Sequence, residues 1–230
     1  MRKKQEFPIF SVISFCIWFY IFKTWSEIDL YISNLFFDGD KFPLSMEFTI
    51  IIKAIDRFIE FGCIALWVTF VVKIARREHK YNGLQYTPLM RKLVYISSVG
   101  LLGSVGAVHF IKRYIMRCRP NYIDFFGGPS PFTEIWVRNM SEAVNTSKCV
   151  SFVSGHSAIG FLIFAIAFTL PVNKRFKFIL LGTLVGSLFG FIRIIQGQHF
   201  LSDVIFSGYV VYFSAVVLAI FIRPEYSGKN

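Results

Sequence analysis

Polar and apolar positions in this chain separate on the scale of whole segments. Six hydrophobic stretches, at about residues 7–24, 57–75, 93–112, 154–172, 177–194 and 200–222, alternate with shorter polar connections. Stretches of that length and apolarity predict membrane-crossing helices, because a helix needs roughly 20 apolar residues to span the hydrocarbon core. The expected fold is all-α: one domain over residues 1–230, a six-transmembrane-helix bundle. The first stretch follows Arg2-Lys3-Lys4 and has no small-residue cleavage site after it, so it reads as an uncleaved first span. Between the first two spans, Ile28, Leu30, Tyr31, Leu35 and Phe36 have the spacing of an amphipathic helix lying on the membrane.

Composition agrees with this pattern. The 230 residues are 54% hydrophobic and include 28 Phe. The net charge of +11 sits in separate loops, which disfavours nucleic-acid binding, a property that needs one basic face. Lys and Arg crowd before the first span, between the second and third, between the fourth and fifth, and after the sixth. By the positive-inside rule both termini are cytoplasmic. Of the four cysteines, Cys16 and Cys63 lie in apolar stretches and are expected to be packed. Cys118 and Cys149 both belong to the outer side, where a disulfide or two separate thiols are open alternatives.

The opposite loops carry the chemistry. Lys112 and Arg119 are seven apart, so on a continuous helix they share one face, and Pro120 ends that helix. By themselves they also read as cations snorkelling to the interface, as Arg113 and Arg117 do; those two are assigned to headgroups or solvent. Ser154-Gly155-His156 opens the fourth span, where free N–H groups and the helix dipole favour an anion; an ordinary Ser cap beside an interfacial His is the plainer alternative. Arg193, His199 and Asp203 flank the last turn. His199 and Asp203, four apart, face the same way on a helix, and a carboxylate on one ring nitrogen leaves the other a better nucleophile. A structural His–Asp pair is the plainer alternative here. A metal site is not expected, since the segments are rich in Lys and Arg. The Phe125-Phe126-Gly127-Gly128-Pro129 stretch reads as a turn with aromatics at the lipid interface, and Lys53, Asp56, Arg57 and Glu60 as an i,i+4 network.

All three segments fall on one side of the membrane, and together they suit phosphoryl transfer. Lys112, Arg119 and Arg193, with Ser154 and Gly155, would bind the phosphate. His199 would attack phosphorus, Asp203 would stabilise the imidazolium, and His156 would act as acid and then base.

Lys112-x6-Arg119-Pro120, Ser154-Gly155-His156 and Arg193-x5-His199-x3-Asp203 resemble the three-part signature of the type 2 phosphatidic acid phosphatase superfamily, over about residues 93–222. The resemblance implies a metal- and cofactor-free lipid phosphatase with an outward-facing site. It also implies His199 as nucleophile, His156 as acid and Asp203 as orienter. Two positions depart from the pattern: Val153 stands where Pro is usual, and Ile192 where Ser or Thr is usual. The runs Cys149 to Gly155 and Gln196 to Val204 are similar to bacterial lipid A phosphatases, especially those removing the 4′-phosphate. That likeness places the chain in a bacterial inner membrane with its site facing the periplasm. Phosphatases for phosphatidylglycerophosphate and undecaprenyl diphosphate are the near alternatives. A lipid phosphotransferase and an anion transporter are the alternatives of another class, although no inverted repeat is evident. A vanadium haloperoxidase shares the site logic but is soluble. No obligate protein partner is expected.

Overall fold

The structure is a computed structural model, and it describes residues 9–43, 46–78, 88–135, 137–140 and 147–224. Arg2, Lys3, Lys4, Lys80 and Lys229 lie outside them, as do the side chains of Lys53, Asp56 and Glu60, so the expected i,i+4 network is outside the description. Among the described residues the chain is helical, with only an isolated bridge between Ile123 and Ser130. The helices are α1 (Ile9–Thr24), α2 (Glu27–Asn34), α3 (Met46–Glu78), α4 (Pro88–Ser98), α5 (Val108–Ile115), α6 (Gly155–Phe161), α7 (Ile163–Phe168), α8 (Val172–Ile195) and α9 (Leu201–Ile222). A π-helical stretch, Val99–Ala107, joins α4 to α5. Short 3₁₀ turns, Pro120–Tyr122 and Asp124–Phe126, follow α5.

Among the described residues three segments are long and apolar enough to cross a membrane: Pro88–Tyr122, Val172–Ile195 and Leu201–Ile222. A fourth is counted if α1 and α2, bent by 82° at their junction, form one broken span. The expected fourth span corresponds to two short apolar helices, α6 and α7, with a break at Leu162. The expected second span lies inside the much longer α3.

Side-chain size decides which face of α8 turns inward. Gly182, Gly186 and Gly190 recur every four residues on the buried face, while Leu184, Leu188 and Phe191 are exposed. Small residues let backbones approach where no hydrophobic drive exists between lipid-bathed helices. A Cβ added to Gly160 on α6 would lie 2.7 Å from the Gly186 Cα, so α6 and α8 meet backbone to backbone. Outward-facing Phe10, Phe58, Phe110, Phe176 and Phe221 are more than two-thirds exposed. Such an apolar exterior suits a lipid surrounding and not water.

A second, smaller apolar cluster caps the end of the bundle that carries the polar segments. It joins Cys118, Ile123, Phe126, Cys149 and Phe200 to Leu30, Phe37 and Phe42. This corrects two expectations. Phe126 is buried against Phe37 and Phe42, and only Phe125 is exposed. Helix α2 packs onto the core through Ile28 and Ile32, with Phe36 just beyond its end, and buries its Asp29, so it does not merely lie on a surface. Cys63 is buried as expected, but Cys16 is exposed.

The α6–α8 contact has a direct test. Gly160→Leu is expected to destabilise the protein by about 1–3 kcal/mol through overpacking. The measurement is a thermal melt in detergent; an unchanged midpoint would show that the two backbones are not pressed together.

Candidate active site

Helix α5 ends early, and this shapes the site. Met116 adopts a left-handed conformation (φ 55°) and closes the helix with its N–H on the Lys112 carbonyl at 3.0 Å. The chain leaves extended through Arg119 into Pro120. Lys112 and Arg119 therefore do not share a helical face, which corrects the two-turn reading. The chain reversal brings their charges to the same place, and both act on His199.

Reversal also drives Arg117 inward, against the expectation that it faces headgroups or solvent. Arg117 is 1% exposed. Its Nη1 donates to Asp203 Oδ1 and Ser202 Oγ, both at 2.8 Å, and its Nη2 to Asp29 Oδ2 at 2.9 Å. Nε donates to the Thr133 carbonyl at 2.9 Å, and the guanidinium lies over the Phe200 ring at 4.1 Å. Arg113, by contrast, is exposed as expected.

His199 and Asp203 also meet differently from the helical expectation. Helix α9 begins at Leu201, so His199 precedes it. Asp203 reaches back across the first turn and accepts the Phe200 N–H at 2.8 Å, half of a capping box. The same oxygen, Oδ2, lies 3.4 Å from His199 Nδ1 and accepts from Ser151 Oγ at 2.5 Å. Ser151 Oγ lies 3.4 Å from Nδ1 and spends its own proton on Asp203, so Nδ1 faces two acceptors and carries the ring proton. Nε2 is then left as the free lone pair. Gly197 (φ +60°) makes the tight turn before His199, and an added Cβ there would collide with Phe42.

Arg193 is 3% exposed at the end of α8. Its Nη1 donates to Gln196 Oε1 at 2.6 Å and its Nη2 to Gln198 Oε1 at 3.4 Å. Arg119 Nη1 donates to the same Gln198 oxygen at 2.8 Å, so one amide oxygen holds both guanidinium groups. Lys112 Nζ is held by the Val150 carbonyl at 2.8 Å. These three cations and near-complete burial push the His199 pKa well below 6.5, burial first and then Lys112, Arg193 and Arg119. The ring is neutral at neutral pH, as a nucleophile must be.

Ser154 caps α6, accepting from the Ser157 N–H at 3.4 Å and the Ser157 hydroxyl at 2.9 Å. It is fully buried, which fits the cap more than the phosphate donor. Gly155 and His156 line a cavity of about 690 Å³ together with Lys112, His109, Arg113 and Met116. His156 therefore borders open space beside the cationic group.

Cys118 and Cys149 form a disulfide, which resolves that open pairing. It ties the segment from Arg117 to Arg119 to the one carrying Val150 and Ser151. The Ser151 N–H donates to the Arg117 carbonyl at 2.9 Å alongside it. Sequence reasoning missed Arg117, Asp29, Ser151, Ser202 and Gln198. Arg117 and Gln198 sit inside motif spacings, a usable signal. Asp29 is 174 residues from Asp203 with nothing local to mark it.

The PAP2 superfamily's family model matches residues 91–226. A lipid A 4′-phosphatase of Francisella tularensis subsp. novicida (strain U112) is 33% identical over 139 residues. That similarity covers 59% of this chain and 61% of the relative. No solved structure matches the chain.

The disulfide makes a chemical prediction. Denatured, unreduced protein is expected to take up maleimide at Cys16 and Cys63 only, rising to all four cysteines after reduction. Uptake at all four before reduction, read by mass spectrometry, would contradict the pairing.

Proposed function

The chain belongs to the PAP2 superfamily, and on that footing we propose that it is a metal-independent phosphatase that removes a phosphate from a membrane lipid through a phosphohistidine. The observation carrying this reading is a neutral, buried imidazole with Asp203 on one nitrogen and Lys112, Arg119 and Arg193 around it.

In the proposed reaction the three cations bind the phosphate oxygens and offset the charge that builds in the transition state. The His199 Nε2 lone pair attacks phosphorus, and the bond from phosphorus to the lipid oxygen breaks. His156 gives that oxygen a proton. Asp203 stabilises the charged ring of the phosphohistidine through Nδ1–H. His156, now neutral, takes a proton from water; the water oxygen attacks phosphorus, the P–N bond breaks, and inorganic phosphate leaves.

The substrate we propose is lipid A, with its 4′-phosphate as the group removed. Support comes from the likeness to the Francisella lipid A 4′-phosphatase, although it spans only part of that protein. The cavity beside His156 offers Arg113 and His109 to the leaving side of the substrate. We further propose six spans in the bacterial inner membrane, both termini cytoplasmic, with the site at the periplasmic face. The supporting fact is that Lys112, Ser154, Arg193 and His199 all sit at helix ends on one end of the bundle.

Purified protein in detergent with EDTA is expected to release phosphate from lipid A, and His199→Ala to release none. Phosphatidylglycerophosphate, phosphatidic acid and undecaprenyl diphosphate complete the panel. Release from one of these alone would keep the mechanism and change the substrate. Consumption of the lipid without free phosphate would indicate transfer to an acceptor alcohol.

Turnover is also expected to follow a bell in pH, since His199 must be neutral while His156 is protonated. Because the His199 pKa is lowered, the neutral ring persists below pH 6.5 and the acid limb falls only under that value. A flat rate from about pH 5 to 9 would count against two histidines in opposite states.

A further inference from the structure

Two carboxylates on one guanidinium is an expensive arrangement inside a protein, and here all three groups are almost fully buried. Asp29, Arg117 and Asp203 are each at most 1% exposed. Arg117 spends one fork nitrogen on each carboxylate, at 2.8 and 2.9 Å. Ser202 stitches the row together: its Oγ accepts from Arg117 Nη1 and donates to Asp29 Oδ2 at 2.5 Å, while its N–H donates to Asp29 Oδ1 at 2.9 Å. Asp29 thus accepts three bonds and Asp203 accepts from Arg117, Ser151 and Phe200. The row runs from α2, through the segment after α5, to the first turn of α9, and ends on Asp203, whose Oδ2 faces His199.

We propose that Asp29 and Arg117 are positioning residues for the hydrolysis, acting through Asp203 to fix the direction and the charge state of His199. This inference rests on the phosphohistidine reading above. The geometry supplies both halves. Arg117 takes Oδ1 of Asp203, so the carboxylate cannot rotate and Oδ2 stays toward the imidazole. Arg117 also draws on the negative charge of Asp203, which otherwise favours a protonated, non-nucleophilic ring. Asp29 tempers that draw by claiming the other fork nitrogen. The groups facing His199 are Lys112 from α5, Arg119 from the segment after it, Arg193 from α8 and Asp203 from α9. His156 stands at the start of α6 on the adjoining cavity. Lys112, Arg119 and Arg193 are held by Val150, Gln198 and Gln196, contacts that a change at Arg117 leaves in place.

The test is steady-state kinetics, trapped phosphoenzyme and inhibition by inorganic phosphate, on full-length protein in detergent. Arg117→Met is expected to lower kcat by about 100-fold, the cost of a misaligned reacting group. KM and the phosphate inhibition constant should stay within about 2-fold of wild type, since Lys112, Arg119 and Arg193 remain. Arg117→Lys should recover part of kcat. The acid limb of the pH profile should move up in Arg117→Met, where Asp203 is unbalanced, and down in Asp29→Asn, where Arg117 serves Asp203 alone. A structural role alone would not move the two in opposite directions. Should Arg117→Met fail to accumulate, Ser202→Ala removes the stitch without unpairing a charge, and a fall in kcat of about 5-fold is expected. Unchanged kcat in Arg117→Met or Ser202→Ala, with phosphoenzyme present in the wild type, overturns the positioning role alone. So does a loss of phosphate inhibition as large as the loss of kcat. Absence of a phosphoenzyme in the wild type overturns the reading of His199 and this inference with it.

Discussion

A carboxylate buried at the end of a membrane bundle must have its lone pairs matched, and Asp203 is where that constraint falls. Its oxygens face the Arg117 guanidinium, the Ser151 hydroxyl, the Phe200 N–H and His199 Nδ1. Losing one partner of a buried ion pair generally costs about 3–5 kcal/mol, because the other charge is left unpaired. The local architecture follows from satisfying this group. Helix α5 breaks at Met116 so that Arg117 can turn inward, and α9 starts two residues after His199 so that Asp203 can reach back. Helix α2 folds over the end of the bundle and delivers Asp29 to the far side of Arg117.

The same constraint sorts the cations. Arg117 is consumed by two carboxylates and has no charge left for a ligand. Lys112, Arg119 and Arg193 are held by neutral oxygens: a carbonyl from Val150 and the amides of Gln196 and Gln198. Neutral acceptors fix the direction of a cation without cancelling its charge. The result is a preorganised positive site around a neutral imidazole, the condition under which electrostatic stabilisation of phosphoryl transfer is strongest. The small cap cluster packs over this end of the bundle, and the Cys118–Cys149 bridge joins the two segments that supply Arg117 and Ser151.

What the sequence by itself determined was the family, the helical class and the order of the candidate residues along the chain. Charged residues in an apolar chain are expensive enough to be informative, so Lys112, Arg119, His156, Arg193, His199 and Asp203 stood out without coordinates. The all-helical architecture followed from segment length, and the disulfide stayed open until the loops were placed. Tertiary structure alone decided which polar groups are paired with which. Helical periodicity suggested that Lys112 with Arg119, and His199 with Asp203, meet along one helix face. In the fold both pairs meet because a helix ends or begins between their members, and helix ends are set by long-range burial that no local window contains. Arg117 read as a surface cation because Lys and Arg at the end of an apolar span commonly snorkel to the interface. Its true partners, Asp29 and Asp203, lie 88 and 86 residues away. Local sequence reports the cost of a charge, while only the assembled fold reports what neutralises it.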